Sequence, residues 1–132
     1  MWGDVNTIAA HAARFFPFLE RFAWGVDALG APYVVEGVDF LPEQALQLAE
    51  RFGARSVFLG NSEMTAVQLK SNLGRQPWLA GSPPERFEQM AEHIVDHTKL
   101  IRDECARLGL AFVDMAGDFE QKELEAAALL ER

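Results

Sequence analysis

Apolar positions recur along this chain with two alternating periods. Between residues 4 and 29, Val5, Ile8, Ala9, Ala12, Phe15, Phe16, Leu19, Phe22, Ala23 and Val26 follow i, i+3, i+4, i+7 spacing, which predicts helix. Asp4 is suited to cap its start. Pro17 falls inside the stripe, so either a kink or two helices meeting there is expected. Gly30-Ala31-Pro32 closes the segment. A short run of β-formers follows, Tyr33-Val34-Val35, ending in Glu36-Gly37. Pro42 then suits the first turn of a helix whose apolar face is Ala45, Leu46, Leu48, Ala49 and Phe52, with Gly53 as its stop. Ser56 to Leu59 is a second β-like run, and Gly60-Asn61-Ser62 breaks the chain before a helical stretch from Glu63 to Leu73. Strand, helix, strand at this spacing predicts a parallel pair with a right-handed crossover.

Residues 74 to 84 form the one loop rich in Gly and Pro. Ser82-Pro-Pro-Glu85 has the S-x-x-E spacing of a capping box. The helix after it carries Phe87, Met90, Ala91, Ile94, Val95, Ile101, Cys105 and Leu108 on one stripe and stops at Gly109. Leu110 to Val113 is a third β-like run with Asp114 at its C-terminal end. Asp118 with Gln121 is placed to cap a last helix reaching about Leu130. The expectation is one α/β domain over residues 1–132, with three strands in a short parallel sheet and helices between them. In such sheets ligands bind at the carboxyl ends of the strands.

Composition narrows this picture. At 49% hydrophobic and 24% charged residues the chain is globular rather than disordered. Its net charge of −8 argues against nonspecific binding to nucleic-acid backbones or anionic membranes. A small anionic ligand needs only local cations and stays possible. The single cysteine, Cys105, has no intrachain partner and reads as a small buried apolar group in a reducing compartment. No run is long and apolar enough for a membrane span, and no secretory pattern opens the chain. The expected location is the cytoplasm.

Glu36 leads the residues suited to chemistry. A carboxylate at the end of a buried strand is partly desolvated and fixed, and can act as a base toward a hydroxyl or hold Mg²⁺ through water. The plainer alternative is a turn carboxylate. Asp39 either contacts a substrate hydroxyl or caps the next helix. Lys70, Arg75 and Arg86 flank the Gly/Pro loop. They are either solvated surface charge or cations of the kind that a closing loop brings to a transferring phosphoryl group. Arg14 and Arg21 lie two helical turns apart on either side of Pro17. If they share a face they offer an anion site. His93 and His97 lie one turn apart beside Glu92 and Asp96. This is not H-E-x-x-H and no third ligand is evident, so a solvated polar face is preferred over a metal pair.

The order of these parts resembles the C-terminal two-thirds of a small P-loop kinase, the group that includes adenylate, uridine and shikimate kinase-like proteins. VVEG followed by VDFLP looks like a Walker B strand and its loop, and SVFLG like the next core strand. The helix–GRQPWL–helix segment is similar to a lid, and LAFVDMAGDFEQ to the final strand and the loop beside the nucleotide base. The likeness covers most of residues 31 to 130. It implies a three-layer α/β/α fold and transfer of a phosphoryl group from ATP, with Mg²⁺, to a small metabolite such as a nucleoside or nucleotide. It implies that Glu36 is the Walker B-type acid and that Arg75 faces the phosphates from a lid-like segment at 70–86, with Lys70 beside the nucleotide. Gly117 and Asp118 would lie near the adenine. The helices of residues 4–29 would cover the acceptor, with Asp39, Arg14 and Arg21 as its contacts.

The sequence departs from that pattern at one point. A P-loop requires G-x-x-x-x-G-K-[ST], whereas the lysines here are Lys70, Lys99 and Lys122, none of them after a glycine. The family's first strand, phosphate loop, first helix and second strand have no counterpart. That first strand would lie between the strands matching residues 33–38 and 56–60, so two parallel edges would face an empty slot. Three outcomes are open: a true start upstream of Met1, which is favoured; direct pairing of the two strands; or a strand borrowed from another copy. The functional expectation is a kinase-like protein, inactive or weak as it stands. The alternative is a non-catalytic α/β module that associates with itself or a partner through exposed strand edges.

Overall fold

The computed structural model describes residues 5–72 and 79–131. The first predicted helix is one continuous element, α1, Val5–Leu29, with Pro17 inside it. Of the two forms expected at Pro17, the chain therefore takes the single helix. Asp4, its proposed cap, lies outside the described residues. α1 buries Ala12, Leu19 and Ala23 and packs against α2, Pro42–Phe52. The join is made by Gln44, which is buried. Its amide nitrogen donates to the Ala12 carbonyl at 2.9 Å, and its oxygen accepts from the Leu41 N–H at 3.1 Å. α2 stops at Gly53, which turns left-handed at φ 67°.

Two strands follow from the β-like runs, β1, Val57–Gly60, and β2, Ala111–Asp114. They pair in parallel, Val57 opposite Ala111 through Gly60 opposite Asp114. The chain passes from one to the other through α3, Ala66–Ser71, and α4, Pro84–Leu108. α5, Phe119–Glu131, closes the described chain. α4 is the centre of the fold: it packs on both strands and on α2 and α3, while α5 also packs on the strand pair. It buries Phe87, Ala91, Thr98, Ile101 and Cys105, and Val113 of β2 and Ala126 of α5 are buried as well. Burial pushes the Cys105 thiol up to about 11, with the Glu104 charge adding to it. Cys105 is thus the buried apolar group that its helical position predicts.

Gly60 permits the closest approach in this core. A Cβ there would stand 2.7 Å from two Thr98 side-chain atoms and 3.0 Å from the Phe112 ring. No other residue lets α4 lie so near β1 without displacement.

Three expectations need correction. The run Tyr33-Val34-Val35 forms no strand, and residues 31–37 have no regular structure. The sheet among the described residues has two strands, not three. A strand requires a neighbour to take its backbone hydrogen bonds, and here the segment instead lies on α1. Tyr33 meets Phe22 edge-on at 5.0 Å between ring centroids, and Phe40 meets Phe15 at 5.9 Å. The parallel pair expected of runs 33–35 and 56–59 is therefore replaced by the pair β1–β2. Second, the helix expected from Glu63 starts at Ala66, because Thr65 and Gln68 make a reciprocal capping box. Third, Ser82 does not cap α4; Pro83 occupies that position without a side-chain cap, and the Ser82 N–H turns back to the Leu79 carbonyl at 3.2 Å. The molecule is mixed α/β on a small parallel sheet. Among the described residues no helix is long and apolar enough to cross a membrane.

Candidate functional site

The carboxyl ends of β1 and β2 lie side by side, since Gly60 and Asp114 are register partners. The chain leaves β1 through Asn61-Ser62 and β2 through Met115-Ala116. The Gly60 carbonyl accepts from the Met115 N–H at 2.8 Å, which carries the pairing one step past the strands. Asp114 gathers the two loops. Its Oδ1 accepts from the Ser62 N–H and from the Ala116 N–H, each at 3.1 Å, and its Oδ2 accepts from the Ser62 hydroxyl. The Asn61 N–H donates to Thr98 Oγ1 of α4 at 2.9 Å, and Asn61 Oδ1 accepts from the Glu63 N–H at 3.0 Å. Burial alone pushes the Asp114 carboxyl up. The hydrogen bonds from Ser62 and Ala116, with the Arg102 charge, outweigh it and hold the group below its ordinary value. The carboxylate is thereby kept ionised and oriented at the sheet edge.

Gly117 follows at positive φ, 95°, in an exposed turn. Asp118 accepts from the Gln121 N–H at 3.2 Å and so caps α5 as its spacing predicts. Glu36 stands in the irregular segment and is exposed. The partial desolvation expected of it does not arise, because the strand that would bury it is not formed. Asp39 is half-buried at a bend, and the cap position of α2 is taken by Leu41. Arg14 and Arg21 are both exposed. Because α1 is continuous they project from the same side, about 10 Å apart along the axis. Lys70 and Arg86 are exposed on either side of the α3–α4 connection, and Arg75 lies outside the described residues. Among the described residues no hydrogen bond or ion pair joins Glu36, Asp39, Arg14, Arg21 and Lys70 to one another.

The residue pair that the sequence leaves unremarked is Ser62 with Asp114. Its signal was available only in part: each follows a β-like run, but their meeting depends on the register of a pairing across the whole of α3 and α4. An open groove of about 460 Å³ between α3 and α4 is lined by Met64, Ala66, Ala91 and Val95, with Glu88, Glu92 and Asp96 along it. His93 and His97 stack at 5.8 Å, and His97 Nδ1 is buried with no hydrogen-bond partner among the described residues. Burial, and then the neighbouring His93, pushes the His97 pKa down. Among the described residues no group of three or more His, Cys, Asp or Glu is placed to hold a metal. No family model matches the chain, and neither does any curated protein or solved structure.

Proposed function

We propose that this chain carries the acid, lid and base-side parts of a P-loop-type small-molecule kinase, an enzyme class that moves a phosphoryl group from ATP to a hydroxyl or phosphate of a small metabolite. The observation that supports it is the parallel crossover β1–α3–α4–β2, whose adjacent carboxyl ends set Ser62, Asp114 and Gly117 at one edge. That is where an open α/β sheet presents ligand-binding groups. In this reading Glu36 is the acid that acts as base or meets Mg²⁺ through water, and Arg75 with Lys70 supplies positive charge from the loop. Arg14, Arg21 and Asp39 face the acceptor, and Gly117 and Asp118 border the nucleotide.

The residues described do not by themselves fit ATP. Glu36 is solvent-exposed, and no G-x-x-x-x-G-K-[ST] occurs in the 132 residues to cradle a phosphate. No catalytic step is therefore assigned to this chain alone. Calorimetric titration with Mg·ATP tests the proposal in two arms. The chain alone is expected to show no micromolar binding. Addition of a peptide with the strand–GxxxxGK[ST]–helix pattern is expected to restore it. Micromolar binding by the chain alone, or no response to the peptide, argues for a different function.

A further inference from the structure

The structure leaves two complementary pieces of sheet unjoined within one chain. In a parallel pair, alternate residues turn both their N–H and C=O toward the neighbour. The Gly60 carbonyl serves β2, and so does Phe58 by alternation. Val57 and Leu59 therefore direct their backbone groups to the opposite edge, where no strand lies among the described residues. Tyr33-Val34-Val35 is a run of β-formers that also pairs with nothing described. Val34 is 84% exposed and Val38 70%. The ring contacts of Tyr33 and Phe40 make this segment continuous with the exposed α1 stripe of Phe15, Phe18 and Phe22. At roughly 150–250 Å² per fully exposed aromatic side chain, the partly exposed Phe15, Phe18, Phe22 and Tyr33 leave about 300–500 Å² uncovered, to which Val34, Val35 and Val38 add. One partner contributes about 800 Å² to an interface of standard size.

We propose that a second copy of this chain covers this face, with the Tyr33–Val38 segment of each copy pairing along the free Val57–Leu59 edge of the other. Every chain holds both the strand and the edge, and the two do not meet within it. A reciprocal exchange uses each once and closes with two-fold symmetry. Glu36 is the sole charge in the exchanged segment. With −8 on each copy, added salt screens the repulsion and tightens the pair. The proposal does not depend on the phosphotransfer reading, because mass without nucleotide decides it.

Sedimentation of the full chain is expected to give twice the 14.7 kDa chain mass. Val34→Asp is expected to weaken the dimer about tenfold or more while leaving the helical circular dichroism signal unchanged. Val67→Asp, on the exposed side of α3, is expected to leave the dimer intact. In V34C/L59C an intermolecular disulfide is expected on oxidation, with buried Cys105 silent. A monomer at micromolar concentration overturns the proposal. So does a dimer indifferent to Val34→Asp, or a chain that captures only a different polypeptide at this face.

Discussion

Ser62 meets Asp114 across the ends of neighbouring strands, donating both its N–H and its hydroxyl to the one carboxylate. Asp114→Asn keeps the shape but removes the charge that these donors favour. A loss of about 1–3 kcal/mol is expected in urea unfolding. The folded pKa of Asp114 lies below its ordinary 3.8, so the unfolded chain takes the proton first. Its contribution is full above about 3.8 and is lost as pH falls through the lower folded value. Asp114→Asn is expected to flatten that acid limb of the stability curve.

Gln44 joins α1 to α2 by satisfying one buried acceptor and one donor at once. Gln44→Ala leaves the Ala12 carbonyl and the Leu41 N–H without it, at a cost of about 2–4 kcal/mol. Gln44→Glu keeps the acceptor for Leu41 but loses the donor to Ala12 and buries a charge, so it is expected to be no better at neutral pH. Thermal unfolding of the two variants checks the order.

His97 titrates in a different window from Asp114. Its folded pKa is pushed below 6.5 by burial and by His93, so the unfolded state again binds the proton first. Stability is expected to fall as pH drops from about 6.5 toward the folded value. His97→Phe removes that slope. His93→Ala removes one of its two causes and is expected to shorten the window. Chemical denaturation at pH 7.5, 6 and 5 separates the three proteins.

Gly60→Ala drives a methyl into Thr98 and Phe112 and is expected to cost about 1–3 kcal/mol. Thr98→Ser in the same chain removes one of the two colliding atoms and keeps the oxygen that accepts from Asn61. The double variant is expected to recover part of the loss, and a double-mutant cycle measures how much.

The parts of the fold that depend on neighbouring residues were legible. Gly53 and Gly109 end their helices, and Asp118 caps α5 toward Gln121. Thr65 and Gln68 carried an equally local capping signal, but the apolar pattern beginning at Glu63 obscured it. Pro83 and Pro84 moved the start of α4 past Ser82. The run Tyr33-Val34-Val35 shows the opposite limit. Its composition states a preference, while strand formation requires a partner that no local pattern specifies. The same holds for Ser62 and Asp114, whose contact exists only once the β1–β2 register is set. The case for Glu36 rests on the burial that a strand would give it, and without that strand it faces solvent.

The central place of α4 also points to an order of assembly. β1 and β2 are separated by the whole of α3 and α4, and closing so long a stretch costs chain entropy before any ladder bond repays it. Both strands rest on the same helix, so α4 acts as a template on which they are held while their register is found. On that order, truncating Ile101 is expected to slow folding, whereas Ser62 and Asp114 variants are expected chiefly to speed unfolding, and the two arms of a chevron plot separate these outcomes.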